Sequence, residues 1–324
     1  MTTTGAPPAP AILRARTAVA ITFAANGLAF ASFIARTPTV RESLGLTTGG
    51  LGLLLLCLSG GAVAGLPLSG PLVHRFGPGR AVLMGAGATA AGFALVVIGL
   101  VTGLVVPAGI GLVCYGLGTG VWDVAMNVEG ADVERRLGRS LMPKLHAGFS
   151  LGTVTGAGIG AACAAAGVPL AVQLGTVVVV LPVVVALSVR QFLPVHEDAH
   201  ERRAGSALTA WREPRTLVVG LLVLAFAFTE GSANDWIAVA MVDGYGASET
   251  VGAVAFGCFV AAMTLGRSRV GGCWSVSGGS RCCGPRPWSR WPGCCSSCSA
   301  GRRPSRSAGP CCGGSGPRWV SRSG

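Results

Sequence analysis

The sequence predicts an all-α polytopic membrane protein. Half of its 324 residues are hydrophobic and only 12% are charged. Its apolar runs recur at lengths suited to a bilayer core of about 30 Å, which roughly 20 helical residues cross. Segments such as Val168 to Val189 carry almost no polar face, whereas a helix on a soluble core would show one.

Each span follows in order. Residues 1–13 are rich in Thr, Ala and Pro and are expected to be disordered, after which Arg14 and Arg16 flank a first span at about 17–35. Further spans are expected at about 48–70, 81–103, 105–128, 144–166, 168–190, 216–236 and 249–266, eight in all. Lys and Arg resist translocation, so their distribution orients the chain. With the N-terminus in the cytoplasm, inward segments hold 13 basic residues and outward ones only two, Arg36 and Arg41.

The spans group into an N-terminal six-helix bundle over 14–190, a charged cytoplasmic linker over 191–214, and two helices of an incomplete second bundle over 215–266. Such a layout suits a transporter built from two six-helix halves. The formal charge of +12 would suit a nucleic-acid binder if it were spread along the chain. It is not, because residues 1–266 hold all 13 acidic residues and 15 basic ones, a net of only +2. The remaining +10 sits in residues 267–324, which use only Arg, Ser, Val, Gly, Cys, Trp, Pro and Ala. No span can be drawn there. Each of those residue types can be written with GC-rich codons, so the segment is read as an out-of-frame, disordered tail that replaces the last four helices, with a natural arginine-rich tail as the alternative.

Polar residues inside apolar spans are costly and mark function. In span four, Val121-Trp-Asp-Val-Ala-Met-Asn127 places Asp123 and Asn127 one turn apart on one face. An aspartate facing lipid costs about 2.5–3.5 kcal/mol on insertion scales, so a buried partner or a wet cavity is its expected setting. Span seven repeats the arrangement in Thr229-Glu-Gly-Ser-Ala-Asn-Asp-Trp236, where Glu230 and Asn234 share a face. Glu230 lies roughly 20 Å along the helix from Arg215, deep in the span, and suits a substrate contact or a protonatable coupling group. Asn26 lies mid-span in the first helix, with an interhelical hydrogen bond as its alternative role. Span five carries Gly148, Gly152, Gly156 and Gly160 at four-residue spacing, a face that lets a neighbouring helix approach closely.

Gly70-Pro-Leu-Val-His-Arg-Phe-Gly-Pro-Gly-Arg80 forms an expected tight cytoplasmic turn. Gly77 and Gly79 allow reversal, Pro78 stops helix continuation, and Arg75 and Arg80 can anchor helix ends to acids or lipid headgroups. A purely topogenic turn is the alternative. His196-Glu-Asp-Ala-His200 spells the helical zinc-protease signature, but it follows Pro194 in a charged linker with no evident third ligand. Cys295-Ser-Ser-Cys298 lacks a second well-spaced pair. Cys57, Cys114, Cys163 and Cys258 sit singly in apolar spans as small core residues. No phosphate loop of the GxxxxGK[ST] type occurs, and no metal or other cofactor is expected.

Taken together, Asn26, Ala35-Arg-Thr-Pro38, the loop of Gly70, Arg75, Gly77 and Arg80, Asp123 to Glu129, and Gly138-Arg-Ser-Leu-Met-Pro143 followed by His146 resemble a bacterial branch of the major facilitator superfamily distantly similar to sugar permeases. The resemblance covers residues 15–266. It departs from the family at His74, where Asp is general, and at Gly79, where a basic residue is common. The glycines of span five partly resemble the helix-five motif of proton antiporters, with Ala157 where Pro is usual.

The resemblance implies a secondary transporter of the bacterial inner membrane. Alternating access would carry a small solute past spans one, four and seven, driven by an ion gradient, often protons. It implies substrate or coupling roles for Asn26, Asp123, Asn127, Glu230 and Asn234, and a cytoplasmic gate at Gly70, Arg75, Gly77 and Arg80. The expected partners are a small solute, protons and the lipid bilayer, with no nucleic acid, and the chain is expected to act as a monomer rather than as an enzyme. The competing functions are a non-transporting membrane scaffold or sensor and a membrane zinc protease.

Overall fold

The computed structural model describes the backbone of residues 9–193 and 213–277, and side chains from residue 10 to 193 and 213 to 266. Helices account for the described chain: α1 Ala9–Ile34, α2 Thr37–Ser43, α3 Thr48–Thr102, α4 Val105–Leu137, α5 Met142–Ala165, α6 Leu170–Val189, α7 Pro214–Val239 and α8 Glu249–Ser277, with a π-helical turn at Ala240–Gly244. Seven of the described helices are long and apolar enough to cross a membrane.

One of the seven provides two crossings. At 55 residues α3 is far longer than a bilayer requires, and its backbone leaves helical geometry at Gly77, with φ 79° and ψ 161°. That region of backbone space is open essentially to glycine alone. Pro78 reinforces the break, because it excludes the helical conformation from the residue before it and opens the next helix well. The two segments run in opposite directions along α4. Gly61 and Gly65 lie against Val113 and Leu117, whereas Gly85, Gly92 and Gly99 lie against Gly118, Gly111 and Ala108. The eight expected crossings are therefore present.

Several boundaries differ from expectation: α4 runs on to Leu137, past the expected end at 128, and α8 continues to Ser277, inside the segment from 267 expected to be disordered. Helix runs continuously through Gly70 and Pro71 to Phe76, so the reversal is concentrated at Gly77 rather than spread over residues 70–80. Helix α1 begins at Ala9, eight residues ahead of the expected span and inside the segment expected to be disordered. Pro10 falls in the first turn, where its missing N–H breaks no helical bond, and Ala-Ile-Leu-Arg are strong helix formers.

Packing rests on close backbone approach. Helix α4 is held between the two segments of α3, and α1 lies along α5 and α6. A Cβ on Gly116 would stand 2.0 Å from the Leu58 carbonyl oxygen. The four glycines of α5 face α1: a Cβ on Gly152 would meet the Ala24 oxygen at 2.0 Å and one on Gly156 the Leu28 oxygen at 2.7 Å. These small-residue ridges do in lipid what apolar side chains cannot, since lipid tails are as apolar as leucine. Phe33, Phe93 and Tyr115 fill the space beside them, with the Phe93 and Tyr115 ring centres 4.6 Å apart. The outer faces are apolar and exposed, most completely along Leu217–Phe228 of α7.

Candidate functional site

Helix α4 carries a row of polar side chains at four-residue intervals, Tyr115, Thr119, Asp123 and Asn127. The Asn127 amide donates to the Asp123 backbone oxygen at 2.8 Å and to its carboxylate at 3.3 Å, so the pair expected from spacing is formed. Across the α4–α5 boundary Asp123 interacts electrostatically with His146. The His146 Nδ1 lies 3.0 Å from the Met142 carbonyl oxygen, which can only accept, and the ring packs against Phe23.

Higher on the row, the Tyr115 hydroxyl is enclosed beside that of Thr119, and among the described residues neither has a hydrogen-bond partner outside the pair. Asp235 of α7 lies close enough to act electrostatically on Tyr115. Glu230 and Asn234 are half-buried on the same helix, and the Asn234 carbonyl oxygen is enclosed without a hydrogen-bond partner among the described residues. Asp235 is thus the acid of α7 within electrostatic reach of the α4 row, a residue with no role assigned from the sequence. Extending the four-residue spacing backward from Asp123 would have found Thr119 and Tyr115.

Asn26 stands apart from this row. It is 3% exposed, and its amide nitrogen lies 3.9 Å from the Met126 sulfur. That contact lies in the α1–α4 seam and fits the interhelical alternative.

At the rim where α1 ends and α8 begins, two ion pairs join the first helices to the last ones described. Arg36 is 4% exposed; its guanidinium donates to the Val168 carbonyl oxygen at 2.8 Å, to Gln173 Oε1 at 3.4 Å and to Glu249 Oε2 at 3.2 Å. Gln173 in turn donates to the Ser32 carbonyl oxygen. Beside it, Arg41 pairs with Asp243 at 2.5 Å. Sequence reasoning had used Arg41 only as a topological marker, and Arg36 as a marker and as part of the Ala35-Arg-Thr-Pro38 stretch. Their paired acids lie more than 200 residues away with no local signal linking them.

The opposite rim holds the residues expected to form a gate. Gly70 and Arg80 are exposed there, Gly77 provides the break, and Arg75 lies over the Phe76 ring at 5.3 Å. Neither Arg75 nor Arg80 forms an ion pair among the described residues, because the acids of this rim are engaged elsewhere. Glu129, 2% exposed, accepts from the Leu193 N–H at 3.0 Å. Asp132 pairs with Arg135 and Arg136, and Glu134 accepts from the first free N–H groups of α5, at Leu141 and Met142. The histidines at 196 and 200 and the cysteines at 295 and 298 lie outside the described residues. Among the described residues no group of His, Cys, Asp and Glu is placed to hold a metal ion.

The chain matches no family model and no solved structure. It is 32% identical over 250 residues to an uncharacterized MFS-type transporter of Yersinia pestis, covering 76% of this chain and 62% of that protein. It is 30% identical over 252 residues to an uncharacterized transporter of Sinorhizobium fredii, covering 77% of this chain and 65% of the relative. The chain thus spans somewhat less than two thirds of the length of the curated relatives it matches. With its apolar crossings, a polar row inside them and this shared sequence, the chain is similar to a transporter of the MFS type, the major facilitator superfamily.

Proposed function

We propose that the chain takes part in moving a small solute across the bacterial inner membrane by alternating access, as a secondary transporter with its N-terminus in the cytoplasm. The relatives' printed names support transport in general. The observation that carries the reading is the Tyr115, Thr119, Asp123 and Asn127 row on α4, met by Asp235 of α7. Carboxylates and polar side chains within an apolar span are costly unless a solute, water or a proton engages them. A scaffold has no use for them.

In this reading residues 14–190 form one bundle and residues 215–266 begin the second, joined by the 191–214 linker. Asp123 and Glu230 take up protons or contact the solute, with Asn127 and Asn234 as neutral hydrogen-bond partners and Asn26 holding the α1–α4 seam. Arg36 with Glu249 and Arg41 with Asp243 close the outer rim. Gly70, Arg75, Gly77 and Arg80 mark the cytoplasmic rim, where Arg75 and Arg80 are available for acids that approach when that side closes. The reading requires rims that open in turn.

The test begins with a thermal-shift screen of small solutes on the purified protein. The solute that stabilises it is then followed into proteoliposomes under an imposed proton gradient. Uptake should respond to the gradient, and the response should be lost in Glu230→Gln or Asp123→Asn. Unchanged pH dependence in both variants removes these acids from coupling, and no gradient-driven uptake of any stabilising solute overturns the transport reading.

A further inference from the structure

A second polar feature lies outside the polar row. Between the start of α1 and the end of α6 is a groove of about 580 Å³, on the rim that also carries Gly77. Its rim presents Leu13, Arg14, Arg16 and Gln191, and its deeper wall presents Ile21 and Leu187. We propose that this groove binds an anionic phospholipid, with the headgroup phosphate on Arg14 and Arg16 and the upper acyl chain along Ile21 and Leu187.

Charge complementarity selects this occupant. No acidic residue lines the groove, and neither Arg14 nor Arg16 pairs with an acid among the described residues. The two hydroxyls of the lining are engaged within their own helices, Thr17 with the Leu13 carbonyl oxygen and Ser188 with the Val184 carbonyl oxygen. The arginines are therefore the charged donors left for a ligand, with the Gln191 amide beside them, and guanidinium suits phosphate because its planar fork can give two parallel N–H bonds.

The apolar wall selects a lipid over a free anion. Ile21 lies seven residues beyond Arg14 on the same helical face, about 10 Å deeper along the axis. Ile21 is 42% exposed and Leu187 is 56% exposed, on the bilayer side of two helices that span it. Cation above and exposed apolar surface below, on one continuous groove, is the vertical order of a phospholipid's own parts. The same rim is the one that the bias of Lys and Arg assigns to the cytoplasm, where the leaflet carries anionic lipid. The inference holds whether or not the chain moves a solute.

The experiment reconstitutes the full chain and compares the association of spin-labelled phosphatidylglycerol with that of spin-labelled phosphatidylcholine. Phosphatidylglycerol should be retained preferentially. Arg14→Gln and Arg16→Gln should each weaken the preference about five-fold, and the double variant should abolish it. Leu187→Trp, which fills the apolar wall and keeps both charges, should also reduce retention. Both arginine changes are on the surface, so an unaltered unfolding temperature without added lipid verifies that the variants fold.

Equal retention of the two lipids by the unaltered protein overturns the proposal, as does full preference in the double variant. Displacement of the lipid by millimolar inorganic phosphate would show a free-anion site instead. A shift in self-association in place of lipid retention would show that a second copy of the chain covers the groove.

Discussion

The Arg36 guanidinium donates to the Glu249 carboxylate at 3.2 Å, 213 residues along the chain, while a second nitrogen of the same group binds the Val168 carbonyl oxygen and Gln173. The asymmetry of that arrangement has energetic consequences. Arg36 is almost wholly buried, whereas the Glu249 side chain is 29% exposed and retains access to solvent. Removing Arg36 strands the Val168 oxygen and Gln173 as well as Glu249. Arg36→Leu is therefore expected to destabilise the protein by about 3 kcal/mol, and Glu249→Gln, which keeps an acceptor oxygen, by about 1 kcal/mol. Thermal unfolding of both variants and the double variant in detergent checks this. A double variant no worse than Arg36→Leu would show that Glu249 acts only through Arg36.

The glycines of α5 give a contrast that depends on position rather than residue type. A Cβ at Gly152 collides with the Ala24 carbonyl oxygen at 2.0 Å, while one at Gly158 meets nothing within 4 Å. Gly152→Ala should push α1 and α5 apart and destabilise by about 1–3 kcal/mol. Gly158→Ala should be neutral or stabilise by up to about 1 kcal/mol, through helix propensity alone. Equal effects of the two substitutions would contradict the seam, and unfolding midpoints are sufficient to compare them.

That seam was legible in the sequence, because four-residue spacing of glycines is a local pattern with one geometric meaning. The crossings and the Asp123–Asn127 pair were legible for the same reason. Arg36 with Glu249, and Tyr115 with Asp235, were not, since each joins residues whose separation carries no periodic signal. Asn26 shows a different limit: span and depth can be read from sequence, but rotation about the helix axis cannot when the neighbouring residues are all small and apolar. The loop at residues 70–80 was misjudged in extent because Gly70 and Pro71 are turn residues in water. In a bilayer, satisfying the backbone internally keeps the helix intact through them.

Glu129 offers a test confined to one amide. It is buried at the end of α4 and accepts from the Leu193 N–H, which fixes the chain as it leaves α6. In Glu129→Leu the Leu193 N–H has no acceptor, a loss of about 1–3 kcal/mol. Hydrogen exchange at Leu193 should accelerate by at least tenfold while exchange in mid-α4 stays unchanged. Unaltered protection at Leu193 would remove Glu129 from that role.

Residues 267–324 lead to a prediction at the level of the gene. The match to the Yersinia pestis relative covers 76% of this chain, and the residue types change abruptly after Gly266. Out-of-frame reading predicts that resequencing the locus reveals a single-base insertion or deletion near that codon. Restoring the frame should then encode four further apolar spans, and a confirmed sequence with no such spans in the other frames leaves the arginine-rich tail as native.

Gly77 concentrates the reversal between the second and third crossings into one residue, so its substitution tests whether the two crossings depend on that conformation. At φ 79° and ψ 161° a side chain is strained whatever the space around it, and the cost for alanine is about 1–3 kcal/mol. Gly79 is the control, since it has no positive φ and its added Cβ meets only side chains, Val189 at 3.0 Å and Phe192 at 3.6 Å. Gly77→Ala should lower the unfolding temperature and yield less folded protein, because the antiparallel course of the two α3 segments along α4 is set there. Gly79→Ala should have a smaller effect, since a methyl of Val189 can give way where backbone cannot. If Gly77→Ala is as stable as the unaltered chain, the reversal is not held by the glycine conformation, and the 70–76 helix must unwind to share the turn.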